Sequence, residues 1–318
     1  MVAARAFVPS RWVLALLPLV SACAYVLAAC ASVEERPRTE DDARQLAPLP
    51  ACLVQLDGAG PGGPRRTEGV VRSLREEQIW SLVYPGFAPK RGTLPADARA
   101  CTGRRPLEDP VLAAGTGAKI DEGAVALGAG SDRLKAAWLR SLTFPDGTMG
   151  GALALIRTFE GTAEVYAVGS YRGRPKTLFT IERIGPEVVT VAQDDGCTGR
   201  KPGAACETMV SVFRPRFGVL DRVASIAQER ITYATDSEPG VRGRTEYRLS
   251  SAIQYVEGGI RVLEQVLVRD ELGREVRKAE LERAYTFAPD GTMVVDEDSL
   301  WSRVVASTKP KPPAPSPN

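Results

Sequence analysis

Four glutamates, Glu160, Glu164, Glu182 and Glu187, fall on or near segments with strand character. Two such carboxylates roughly 5–10 Å apart across a groove are the equipment of glycoside hydrolysis. They matter here because the chain has no histidine. Ser-His-Asp and Cys-His catalysis, His-ligated zinc, 2-His-1-carboxylate iron and imidazole pH sensing are therefore excluded. Asp194-Asp195 and Asp296-Glu297-Asp298 offer oxygen atoms suited to calcium, but neither has the spacing of a calcium loop, and solvated turn carboxylates are the expectation. Gly115-Thr-Gly117 and Gly128-Ala-Gly130 lack the later glycine and the Lys-Ser/Thr of a phosphate cradle, so they read as surface loop. Nucleophile elbows and Ser-x-x-Lys dyads are missing too. The expectation is a non-enzymatic protein with no catalytic residue, no cofactor and no metal.

The cysteines carry a different chemistry. Cys52, Cys101, Cys197 and Cys206 allow three pairings. Cys197 and Cys206 flank a Gly/Pro loop between two candidate strands, where a bridge would clamp a hairpin. A Cys52–Cys101 bridge would tie a segment in which burial looks scarce. Four thiols on zinc is the alternative, unsupported by any Cys-x-x-Cys spacing.

Two more cysteines, Cys23 and Cys30, lie at the N-terminus. Arg5 and Arg11 precede an apolar stretch from Trp12 to Val26, and small residues follow it. Leu27-Ala28-Ala29-Cys30 resembles the lipobox of bacterial lipoproteins. That resemblance, confined to about the first tenth of the chain, implies cleavage between Ala29 and Cys30 and lipidation of Cys30. Val20-Ser21-Ala22-Cys23 is a second, weaker lipobox, and Val13 to Ala29 is a 17-residue candidate anchor helix interrupted by Pro18. Cutting before Cys30 removes Cys23 and leaves an even set of four further cysteines, which suits an oxidising compartment. Ala31 follows the cysteine in place of Asp, which by the family's sorting signal favours the outer over the inner membrane.

Charge narrows the partners. Arg5 and Arg11 are the only charged residues before Cys30, so the 41 basic and 39 acidic residues of the whole chain become 39 and 39 in the exported part. A neutral exported part has no electrostatic footprint for nucleic acid. The expected partners are a membrane, reached through the N-terminal lipid, and another envelope protein or a cell-wall polymer.

Five segments must position these groups. Residues 1–29 form the signal peptide, 30–50 a polar, proline-containing tether, and 307–318 a Pro-rich tail. Residues 51–130 are loop-rich with one helix near 73–84. There Ser73-Leu-Arg-Glu76 forms a capping box and Pro85 ends the run. Residues 131–306 read as an antiparallel β-domain. Tyr247, Leu249, Ser251, Ile253 and Tyr255 alternate with polar neighbours, the pattern of a half-buried strand. Further strands are expected at 151–159, 162–171, 176–184, 187–193, 207–214, 261–269 and 276–287. Pro145-Asp-Gly147, Gly258-Gly259, Leu272-Gly273 and Pro289-Asp-Gly291 suit hairpin turns. Residues 134–142 and 221–230 are ambiguous between helix and strand.

The fold expected is mainly β, an antiparallel meander forming a sandwich or partial barrel. Its expected role is that of a lipid-anchored binding or scaffold domain of the cell envelope. The alternatives are a carrier of an apolar ligand such as a lipid, and a carboxylate-dependent glycan hydrolase. The motif Lys135-Ala136…Pro145-Asp-Gly-Thr-Met149 is echoed at Lys278-Ala279…Pro289-Asp-Gly-Thr-Met293, and Cys-Thr-Gly-Arg occurs at 101–104 and 197–200. Unequal offsets favour recurrent turn chemistry over a repeat.

Overall fold

The computed structural model describes residues 52–55, 74–89, 92–130, 133–159, 162–235, 238 and 240–306. The signal peptide with Cys23, Cys30 and its lipobox, the tether, the Pro-rich tail, Ser73 and Glu160 lie outside them. Among the described residues the chain is mainly β, with fourteen strands joined in one mixed sheet. Strands β7 (Leu178–Ile184), β8 (Glu187–Asp195), β9 (Cys206–Arg216), β10 (Val219–Thr235), β11 (Arg244–Val256), β12 (Gly259–Arg269), β13 (Glu275–Phe287) and β14 (Met293–Val295) pair in order as an antiparallel meander. A second antiparallel set holds β4 (Leu134–Thr143), β5 (Met149–Phe159) and β6 (Thr162–Gly173).

The two sets meet where β6 runs parallel to β10 at the Val168/Val219 pair. This contact makes the sheet mixed where a purely antiparallel one was expected. It needs Gly169, because a β-carbon there would strike the Leu220 carbonyl oxygen. On the opposite side Ala129 bridges Thr180 of β7 in parallel, and its N–H donates to the Phe179 carbonyl at 2.8 Å. The sheet thus curls into a partial barrel without a continuous closing ladder.

Its concave side is filled by Trp138, Tyr171, Phe179 and Phe213, each no more than 4% exposed. The Tyr171 ring lies 5.1–5.8 Å from the other three centroids. Strands buried on both faces carry apolar residues at successive positions. In β8, Val188 and Ala192 face this interior, while Val189 and Val191 join a second core under β11–β14.

The loop-rich segment does not stand apart from the β-domain. Its β1 (Cys52–Gln55) pairs with β6, and its β2 (Thr116–Gly117) and β3 (Val125–Leu127) pair with β4. Helix α1 (Glu76–Val83) lays Ile79, Trp80, Leu82 and Val83 on the outer face of β4–β6, against Ala137, Leu139, Ala154, Ile156 and Val165. Each such buried large side chain contributes about 1.5–3 kcal/mol.

The expected capping box is replaced. Arg75 is the N-cap, and its N–H donates to Gln78 Oε1 at 2.9 Å. Glu76 instead accepts from the Gly123 N–H at 3.0 and 3.1 Å, stitching the helix start to a loop 47 residues away. A second correction concerns the end of the β-domain, where Leu300–Ala306 is a helix, α2, packing Trp301 and Val304 on Tyr247, Leu249, Val266 and Val268.

Candidate functional site: the Phe217 turn beside the Cys52–Cys101 disulfide

The four cysteines pair as Cys52–Cys101 and Cys197–Cys206, with Cα separations of 5.8 and 5.1 Å. In both copies of Cys-Thr-Gly-Arg the glycine is left-handed, Gly103 at φ 78° and Gly199 at φ 74°, two residues after a disulfide cysteine. The turn bonds differ, Gly103 N–H to the Ala100 carbonyl in one and Arg200 N–H to the Cys197 carbonyl in the other. The second bridge closes the β8–β9 hairpin, where Asp195 Oδ1 accepts from the Cys197 N–H (2.8 Å), the Thr198 N–H (2.9 Å) and Thr208 Oγ1 (3.0 Å). Hydrogen bonds from Thr198 chiefly hold the Asp195 carboxyl down to about 2.

Of the glutamates nominated for chemistry, Glu160 lies outside the described residues, and Glu164 and Glu187 are held in ion pairs. Glu164 is paired with Arg157 at 2.5 Å, and Arg157 lies over the Tyr166 ring. Glu187 takes a two-pronged pair from Arg214 at 2.6 and 3.1 Å. Glu182 sits on β7 near Tyr255, whose burial raises its hydroxyl to about 12 with help from the Glu182 charge. Asp194 accepts from the Arg174 N–H, Asp296 from the Ala284 N–H, and Glu297 from Arg303. No cluster of three or more metal-ligating side chains occurs among the described residues.

The position that folding does not explain is the β9–β10 turn. Phe217 (φ 49°) and Gly218 (φ 78°) form a two-residue connection with both residues left-handed. Such turns match the twist of a hairpin but favour Asn, Asp or Gly at both positions. Phe217 is the only non-glycine residue with positive φ among those described, and 94% of its surface is exposed. Left-handed geometry costs an L-residue roughly 1–2 kcal/mol, and a ring in solvent returns almost none of it. The Arg216 guanidinium lies 5.5 Å from the ring centroid and also donates to the Asp290 carbonyl of the β13–β14 turn. Beside the turn is an open hollow of about 260 Å³, whose other wall is the loop carrying Thr102 and Arg104, with Asp221 at its margin.

That loop begins at Cys101, so the hollow lies next to the first disulfide. The β ladder places the N-terminal end of β1 in the same region. Cys52 stands opposite Val165 of β6, and three residues further along β6 the Val168 N–H donates to the Gly218 carbonyl at 3.0 Å. Three residues of strand are about 10 Å. The chain therefore reaches the folded body within about one nanometre of the Phe217 turn.

The sequence alone does not reveal this turn, because the strand pattern stops at 214 and 221–230 fit helix and strand equally. The available signal was Arg214-Pro-Arg-Phe-Gly218, an aromatic-glycine pair flanked by arginines between two apolar runs. A second unforeseen feature is the pair Glu264–Arg283, whose side chains are 2% and 7% exposed. Glu264 Oε2 also accepts from Ser299 Oγ (2.9 Å) and the Leu300 N–H (2.7 Å), so one buried carboxylate neutralises an arginine and caps α2. Comparison with protein-family models, with curated proteins and with solved structures returned no match for this chain.

Proposed function

We propose that this chain is a lipid-anchored protein of the cell envelope whose β-rich body is a binding or scaffold module without enzymatic activity. Leu27-Ala28-Ala29-Cys30 supports the anchor, and Ala31 supports the outer membrane as its location. The observation that carries the scaffold reading over the carrier is the packing of the partial barrel. A carrier of an apolar ligand needs several hundred Å³ of lined space. Here the concave side of the sheet is occupied by Trp138, Tyr171, Phe179 and Phe213. The hydrolase reading is weakened by the ion pairs that occupy Glu164 and Glu187. The partner expected is another envelope protein or a cell-wall polymer.

Two measurements test the proposal. Cells expressing the protein should incorporate labelled fatty acid into it, and Cys30→Ala should abolish the label; persistent labelling of that variant rejects Cys30 as the anchor. The purified protein should leave cell-wall glycans intact. Release of sugar fragments, lost on replacing Glu164 or Glu187 by glutamine, would reject the non-enzymatic reading.

A further inference from the structure

The geometry points to the Phe217 turn as a second contact with the same bilayer that holds the Cys30 lipid, fixing which end of the body faces the membrane. This inference rests on the anchored reading above. Its occupant is a phospholipid surface, with the Phe217 ring inserted at the level of the headgroups and the Arg216 and Arg104 guanidinium groups turned to lipid phosphates.

Three observations meet at this one place. First, a large apolar side chain stands 94% exposed on a left-handed turn residue, where it does nothing for folding. Aromatic rings and arginines are the side chains suited to a membrane–water interface, the ring in the apolar margin and the guanidinium on phosphate. Second, the chain arrives at this end. Cys52 is placed there by the β1–β6 register and by its bond to Cys101, the residue before Thr102 at the hollow. Third, only 21 residues lie between Cys30 and Cys52. A random-coil chain of that length would have a root-mean-square span of about 25 Å. A lipid at Cys30 therefore holds the Phe217 end at the membrane surface at high effective concentration, and one weak insertion suffices to orient the body.

The opposite end supplies the control. Arg216 contacts the Asp290 turn at the C-terminal end of β13, whereas Leu272 lies on the β12–β13 turn at the other end of that thirteen-residue strand. At about 3.3 Å per residue the two ends are separated by about 40 Å. Leu272 is also exposed, at 72%, so exposure alone does not distinguish the two sites.

The experiment uses the full-length lipidated protein reconstituted into phosphatidylethanolamine–phosphatidylglycerol vesicles whose acyl chains carry bromine, a contact quencher of indole. Trp80, Trp138 and Trp301 are buried in the body, so wild-type emission provides the baseline. Phe217→Trp should add emission that is blue-shifted and quenched by the brominated lipid, while Leu272→Trp should add emission that is neither. Fatty-acid labelling and flotation are read on the same samples. If the protein labels and floats but the Phe217→Trp emission stays red and unquenched, the contact is refuted and the anchor stands. Equal quenching at both sites refutes a preferred face. Absence of label at Cys30 overturns the anchor itself and the inference with it.

Discussion

Replacing Phe217 by asparagine should make the protein more stable, although it removes the most exposed aromatic side chain among the described residues. The native residue holds φ at 49° on a turn where an L-side chain incurs roughly 1–2 kcal/mol. Asparagine tolerates that region because its short polar side chain hydrogen-bonds locally. With the ring 94% exposed, the loss on substitution is confined to its contact with Arg216, 5.5 Å from the ring centroid, worth about 0.5 kcal/mol at an open site. The balance is a gain of about 0.5–1.5 kcal/mol. For a body of this size that raises Tm by about 1–6 °C, at roughly 2–4 °C per kcal/mol. Phe217→Ala keeps the β-carbon, and with it the strain, so it should fall at or slightly below wild type. Differential scanning calorimetry of the disulfide-bonded protein reads the order directly. A melting temperature for Phe217→Asn below wild type would refute the reasoning, because it would mean that the ring is a packing residue. The expected order has a functional corollary, since a position kept at a stability cost is one retained for what it touches.

Other perturbations follow from the same geometry. Replacing both Cys197 and Cys206 by serine should destabilise the protein by about 2.7 kcal/mol, and the Cys52/Cys101 double replacement by about 4, because the Cys52–Cys101 bridge closes the longer loop; equal shifts in urea midpoint would contradict the loop-length argument. Arg283→Met strands the Glu264 charge, at 2% exposure, and should cost about 3–5 kcal/mol. Adding Glu264→Leu should recover part of that loss, and a double variant worse than the sum of the singles would show that the α2 cap dominates the pair. Asp195 titrates at about 2, below the ordinary 3.8, so its hydrogen bonds to the Cys197–Cys206 hairpin are intact above pH 4 and are lost as pH falls through about 2. Carboxyl NMR should place its midpoint there, and Asp195→Asn should remove that part of the acid dependence; a midpoint near 4 would show that the hairpin network is not formed in solution.

How far the sequence revealed all this depended on where each strand buries its faces. Strands such as β11, with one solvated face, alternate cleanly and were readable to within a residue or two. β4 was ambiguous because it is buried on both sides. Leu134, Ala137, Trp138 and Leu142 are all buried, so helical spacing arises by accident within a nearly continuous apolar run. β10 was ambiguous for a different reason. It carries bulges between Arg222 and Ala224 and between Ala227 and Glu229, and each extra residue shifts the alternation by one. Helix α2 is only seven residues long and has two caps. A local one comes from Ser299 Oγ, which accepts from the Trp301 N–H at 3.3 Å, and a remote one from Glu264, 36 residues upstream of the N–H it accepts; only the local one is legible in the sequence. The favoured disulfide partners were legible because hairpin and loop reasoning used only order along the chain. The Phe217 turn was not, since its meaning depends on Cys52, Cys101 and Val168 converging in space.

On the lipid-anchored reading, that convergence would also set how the body bears a pull arriving at its N-terminal strand. β1 is only four residues long and lies on β6 through an antiparallel ladder, an arrangement that a load on its N-terminal end would peel open one pair at a time. The disulfide sits at the first residue of that strand, so load arriving at Cys52 passes into Cys101 before it reaches the ladder. Cys101 is itself fixed by its N–H to the Val83 carbonyl at 2.8 Å, at the end of the helix that buries Trp80 and Leu82 on β4–β6. The force is thereby borne by a covalent bond and a packed helix rather than by four strand residues. On the lipid-anchored reading, the cross-link that adds most to equilibrium stability is thus also the one placed where the membrane would pull. Reduction should consequently loosen the tethered end before it disturbs the Trp138–Tyr171–Phe213 interior, to which neither disulfide contributes.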